Sequence, residues 1–426
     1  MRRDLCFFSK VLVASAVMAF LFAGTAPASA KEPIKIGLIG ALSSSYGASN
    51  QKVLEISVED VNKAGGILGR PVELVVEDWK RQVPLAVAAY KKLVMTDKCS
   101  LVFTEGTEGT TACAEVASQL FPDYPHLQFC FWTANETVTD RVVEQYDKFK
   151  FLFRVYTNTA DSFDPGMEQA AMFTDMIKTK KMALIMEDIG WTQPYWEGIP
   201  GRHPTLKEHF EKAGIQVVYH AKSSISEKMF LPMLEKCAAS GADTIFWITG
   251  YTDTVALAKQ WATSSAKDLD IVMMSGFVSY AAFYKMTGGA ALGVVALNPE
   301  VEIAFTEKSG PFFEKLRARK AGLLASTYGA CDGPFIFKNA VEKAGAMDMN
   351  KVIKALETGE FQHAFWKWKF DKRHEPVKGY PYYPNIWGQH QGPDKYRVVF
   401  QEDIRKLANP DQRFMPVKEL RKKAGK

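Results

Sequence analysis

Charge of one sign is missing: 53 Lys and Arg stand against 48 Asp and Glu, leaving +5 on 426 residues. So thin a bias excludes a nucleic-acid backbone as the partner. Histidine is scarce, with seven scattered positions, and no two are spaced to share a helical face as metal ligands. HExxH, GxSxG and GxxxxGK(S/T) are absent, and Gly37-x-x-Gly40 lacks the rest of a dinucleotide fingerprint. Glu105 and Glu108 are an acid/base pair only in principle; loop carboxylates are more often solvated or accept hydrogen bonds. No cofactor, no metal and no enzymatic activity are expected. Twenty Pro and thirty Gly do not cluster, and a hydrophobic content of 47% excludes wholesale disorder.

Long apolar runs are missing after the first thirty residues. There, Arg2, Arg3 and Lys10 precede the apolar run Val11–Ala23 and the small residues Ala28-Ser29-Ala30. That is the pattern of a cleavable secretory signal, cut after Ala30. The run is too short for a membrane span of about 20 residues. Cleavage leaves 50 basic against 47 acidic residues, a mature chain for a bacterial periplasm. It keeps Cys99, Cys113, Cys130, Cys237 and Cys331, an odd number with no metal-like spacing. Cys99 could pair with Cys113 or Cys130; all five are read as structural.

What is present is alternation. Ile34–Ile39 is a strand, helical spacing runs from about Asn50 to Gly65-Gly66, and Val72, Leu74 and Val76 alternate as a second strand. A helix from Pro84, the strand Leu101–Phe103 and another helix follow. The pattern restarts near Phe151, with strands at Met182–Met186, Ile215–Tyr219, Thr244–Ile248 and Ile271–Met274. Two successive units predict an α/β fold of two Rossmann-like lobes, with parallel central sheets joined by a multi-strand hinge. The expected division is residues 31–153 with 297–360, and 154–296 with 361–400, followed by a solvated charged tail at 401–426.

Aromatic residues crowd one late segment, from Phe361 to Trp387, interleaved with Lys367, Lys369, Lys372 and Arg373. A stacking surface for single-stranded nucleic acid would use such residues, but the period-two pattern of Phe365–Phe370 and the exported chain favour half-buried strands. Other aromatics fall where open parallel sheets bind ligands, beyond the carboxyl ends of strands. These are Tyr46, Trp132, Trp191, Tyr251 and Phe277 in loops, and Trp247 at the end of its strand.

Ile34-Lys35-Ile36-Gly37 with its Ser/Gly/Tyr loop, and above all the stretch from Glu59 to Leu74 (EDVNKAGGILGRPVEL), resemble periplasmic solute-binding proteins of the leucine/isoleucine/valine-binding type. Phe153-Arg154 and Glu187-Asp188-x-x-Trp191 follow in the order of that family. The resemblance runs from about residue 33 to 360. It implies a type I periplasmic binding protein, a hinge-closing monomer that hands a small solute to an inner-membrane ABC permease with its ATPase. A periplasmic sensing subunit using the same closure is the alternative.

Carried over residue by residue, the resemblance implies a site of Tyr46, Glu108, Gly109, Trp132, Thr133, Trp191, Trp247, Tyr251 and Phe277. Glu108 falls where relatives that bind α-amino acids hold the ligand carboxylate, and Gly276 or a neighbour where an acid would meet the ligand ammonium. Both handles are altered, so the expected ligand is aromatic or apolar, or cationic. A branched-chain or other amino acid is the alternative ligand.

Overall fold

Short apolar runs build the strands, and the amphipathic segments between them cover the faces. The computed structural model describes residues 31–165, 169–275, 277–280, 282–297, 301–324, 326–393 and 395–425. The expected signal segment, residues 1–30, lies outside the described residues, as does Gly276.

The first sheet contains β1 (Ile34–Gly40), β2 (Val72–Asp78), β3 (Leu101–Glu105), β4 (Leu127–Phe131) and β5 (Leu152–Arg154). They lie in the order β2-β1-β3-β4-β5, all parallel. Every position of β3 and β4 is buried, as central strands with both faces covered require. The stretch from Glu59 to Leu74 carries the return from helix Ser45–Lys63 into β2. Gly66 there has φ +70°, and a Cβ on it would lie 1.9 Å from the Arg70 carbonyl oxygen, so only glycine closes the turn.

The second sheet contains β6 (Lys181–Glu187), β7 (Gln216–Ser223), β8 (Thr244–Ile248), β9 (Asp270–Met274), β10 (Val295–Leu297), β11 (Trp387–His390) and β12 (Tyr396–Phe400). The order is β12-β11-β10-β9-β8-β6-β7, with every pair parallel except β10–β11 and β11–β12 at one edge, which are antiparallel. The result is the two-lobed, parallel-sheet α/β architecture that the alternation predicts.

The chain passes between lobes three times: after β5, after β10 and just before β11. At the first passage, Gly329 of helix Thr327–Ala344 lets that helix touch the backbone, since a Cβ would lie 1.9 Å from the Val155 oxygen.

The last passage differs from the sequence expectation of residues 361–400 in the second lobe. Phe361, Phe365, Trp366, Trp368, Phe370 and Tyr383 are buried in the core of the first lobe. The anchor is buried Asp332, which accepts from the Ala364 amide at 3.0 Å and from Trp368 Nε1 at 2.8 Å. Burial pushes that carboxyl up to about 7 despite these donors. Side chains alternate from buried Trp366 to buried Phe370, with Lys369 exposed, but only isolated bridges such as Phe361–Trp368 form instead of strands.

The tail also departs from expectation. Helices Glu402–Ala408 and Val417–Lys423 bury Ile404, Val417 and Leu420, and the Val417 amide donates to Asp270 at 2.8 Å. Three apolar side chains among the charges suffice to dock it.

Candidate ligand-binding cleft

Beyond the carboxyl ends of both sheets lies a cavity of about 110 Å³ between the lobes. Five aromatic side chains line it: Trp132 and Tyr156 after β4 and β5, and Trp191, Tyr195 and Tyr251 from the second lobe. Polar lining comes from Glu108, Asn158, Asp161, Gln169, Ser275 and Asn385, among others, and no Lys or Arg is among the lining residues. Among the described residues no three His, Cys, Asp or Glu side chains gather into a metal site.

Each aromatic is held by local structure. Trp132, directly after β4, sits at φ +51°, a conformation that costs an L-residue about 1–2 kcal/mol. Its carbonyl accepts from the Gly106 amide at 3.1 Å, and its ring stacks on Tyr46 with centroids 4.9 Å apart and an 11° tilt. The turn Gly190–Thr192 presents Trp191, and Thr192 Oγ1 pins that turn by donating to the Glu187 carbonyl at 2.6 Å. Tyr195 OH accepts from Ser162 Oγ at 2.9 Å.

Tyr251 depends on Glu187, the last residue of β6. The Glu187 carboxylate accepts from Thr249 Oγ1 (2.5 Å), the amides of Gly250 (2.7 Å) and Tyr251 (2.8 Å), and the amide and hydroxyl of Thr252. One buried side chain thus gathers a four-residue loop. At the mouth, the Arg81 guanidinium of the first lobe lies 4.5 Å from the Tyr251 ring centroid.

The first interlobe passage brings the polar floor. Asn158 and Asp161 form a reciprocal cap: Asn158 Oδ1 accepts from the Asp161 amide, and Asp161 Oδ2 accepts from the Asn158 amide. Asp161 also pairs with half-buried Lys378 at 2.8 Å. Burial raises the Asp161 pKa even so.

The nine residues named from sequence divide three ways. Glu108, Trp132, Trp191 and Tyr251 line the cavity, with Glu108 exposed in the first turn of helix Thr107–Leu120. A Cβ on Gly190 of the second lobe would lie 4.0 Å from Glu108 Oε1, so that carboxylate faces across the cleft. Tyr46 and Thr133 stand one layer behind: Tyr46 backs Trp132, and buried Thr133 shares a 3.0 Å hydrogen bond with Thr110. Gly109 makes room for Trp79, whose ring atoms would lie 3.0 Å from a Cβ there.

Trp247 and Phe277 are not at the cavity. Trp247 is fully buried in the second lobe, edge-on to Phe230, and Phe277 packs against the first lobe's core and Tyr280. Sequence reasoning missed Tyr156, Asn158, Asp161, Gln169 and Tyr195. For Asn158 and Asp161 the available signal was the polar stretch Thr157–Ser162, shortly after β5.

Away from the cavity the lobes meet through charge. His203 Nε2 lies 2.6 Å from Glu136 Oε1, and Arg202 Nη1 lies 2.6 Å from Asp140 Oδ1 and 3.7 Å from Glu136. The His203 ring stacks on Phe163 at 3.8 Å. Burial works against its charged form, but the Glu136 hydrogen bond prevails and the pKa is raised. Asn135 Nδ2 donates to the Gly190 carbonyl at 3.3 Å.

Two lobes hinged by three passages around a cleft of aromatic and hydrogen-bonding groups define a solute-binding protein. The family described as Periplasmic binding protein matches residues 33–383, and the chain belongs to it. The Leu/Ile/Val-binding protein homolog 1 of Brucella abortus (strain 2308) is 24% identical over 388 residues, covering 90% of this chain and 96% of that protein. The branched-chain amino acid transporter substrate-binding protein of Streptococcus pneumoniae, solved with isoleucine, superposes with a TM-score of 0.67 at 20% identity, covering 86% and 99% of the two chains. A solute-binding protein of R. palustris, solved with benzoate, gives 0.65 at 16%, covering 86% and 95%. Proteins of this kind deliver ligand to ABC transporter permeases.

Proposed function

We propose that this periplasmic binding protein captures a flat aromatic solute, neutral or cationic, and presents it to an ABC permease and its ATPase, with no chemistry on the solute. One observation carries the reading: five aromatic side chains from both lobes converge on a cavity that no Lys or Arg lines. Stacking rewards a planar ligand. A free carboxylate would meet Glu108 with no lining cation to offset it. The solute touches both lobes only when they are closed, so binding shifts the population toward the closed form.

A thermal-shift panel of the purified protein tests this, using benzoate, benzamide, benzylamine, benzyl alcohol, choline and leucine. A ligand at 100 times its dissociation constant stabilises by about 2.7 kcal/mol, a shift of several degrees for lobes of this size. The expected result is a shift with neutral or cationic aromatics. A shift with leucine alone would replace the aromatic reading by an amino-acid one.

A further inference from the structure

Gln169 opens the helical segment that precedes β6, is 2% exposed and lines the cavity. Its Oε1 and Nε2 both lack a hydrogen-bond partner among the described residues. Asn158, 3% exposed, lines the same cavity. Its Oδ1 is taken by the Asp161 amide, while its Nδ2 is unpartnered. Trp191 Nε1 is a third buried, unpartnered donor on that lining.

Buried polar groups are costly unless paired, so these atoms describe their counterpart. Three N–H groups ask for a carbonyl-like acceptor, and Gln169 Oε1 asks for a donor. A carboxylate would satisfy the donors, leave Gln169 Oε1 facing another acceptor, and add an anion beside Glu108 and Asp161. An ammonium would satisfy Gln169 Oε1 and leave all three N–H groups bare. An uncharged amide answers both needs, its C=O to the donors and its N–H to Gln169. Exchanging O and N of the Gln169 amide leaves the complement unchanged, because the side chain still presents one of each.

We infer that the solute carries an uncharged amide, either an aromatic carboxamide or a lactam within the ring, paired reciprocally with Gln169. This rests on the reading of the cleft as an aromatic-solute site and adds the polar half of the ligand.

Isothermal titration with benzamide, benzoate, benzylamine and leucine provides the test. Benzamide should bind about tenfold or more tightly than benzoate or benzylamine, the scale of one buried polar group left unpaired. Gln169→Met, of similar volume, should erase that preference. Gln169→Glu should move it toward benzylamine, since a carboxylate accepts from an ammonium. Equal or tighter binding of benzoate or benzylamine to the wild-type protein would overturn the amide assignment and leave the aromatic reading intact. So would a benzamide preference that survives Gln169→Met. Binding of leucine alone, or of none of the four, would overturn both. The wild-type ranking decides the matter even if a variant fails to fold.

Discussion

Three tryptophans at strand ends have three different roles, and the backbone decides among them. Trp132 reaches the cleft because its φ of +51° turns it out of the line of β4. Trp191 reaches it on a short turn past β6. Trp247 is the penultimate residue of β8, still inside the strand, and shares a face with Ile245 in the core. Because β8 is buried on both faces, its alternation does not distinguish cleft from core. Trp191→Ala should weaken binding of an aromatic probe at least tenfold by titration, the order of one stacked ring lost with its burial (about 1.4 kcal/mol per tenfold). Trp247→Ala should cost about 3–5 kcal/mol of folding stability, seen as a lower Tm, with no change in which probe binds best. Glu108→Gln should weaken a cationic probe several-fold and leave a neutral one unchanged; an equal loss for both would remove charge from the role of Glu108.

Elements were more legible than their assembly. The parallel strands of both lobes follow from their apolar runs, and Tyr251 lies, as expected, in the loop beyond β8. What holds that loop was not visible. Nothing in the sequence shows that Glu187 reaches across to residues 62 to 65 positions later. Asn158 and Gln169 escaped for a related reason: they carry no motif and matter only because the first passage between lobes brings them to the cavity. The Phe361–Tyr383 segment misled because alternation reports burial and not which lobe provides it; buried Asp332 of the first lobe provides it here. Glu187→Gln would keep the shape but replace one acceptor oxygen by an amide donor facing backbone amides. Faster hydrogen exchange at Gly250–Thr252 and a weaker aromatic-probe affinity are the expected results. Unchanged exchange would mean that the loop holds itself.

For the whole molecule, the cleft is only part of what favours closure. His203, Arg202, Glu136, Asp140 and nearby Arg373 form an ionic contact between the lobes, with His209 and Glu144 adding smaller fields. When the lobes part, His203 loses Glu136 and returns toward its ordinary value of about 6.5. A histidine whose pKa is higher in the closed form supports closure fully below that ordinary value, and the support is lost as pH rises through the raised one. Affinity for a non-titrating probe such as benzyl alcohol should therefore decline as pH rises above about 6.5, His203 losing its proton in the closed form. His203→Gln should flatten the profile; a wild-type profile already flat would show that the contact does not bias the lobes.

Among the described residues Cys99, Cys113, Cys130, Cys237 and Cys331 are all unpaired and buried. Burial pushes the thiols of Cys99 and Cys237 up to about 12 and that of Cys130 to about 11, and raises those of Cys113 and Cys331 as well. The reactive species in disulfide exchange is the thiolate, so the native protein is inert in an oxidising compartment. An unfolded chain arriving there is not, for its thiols have ordinary acidity and full access. Folding installs the protecting group, and unfolding removes it. Refolding from denaturant should accordingly succeed with a reductant present and fail increasingly with an oxidant, and for an exported chain the hazard lies in the interval between emerging from the membrane and closing its two cores.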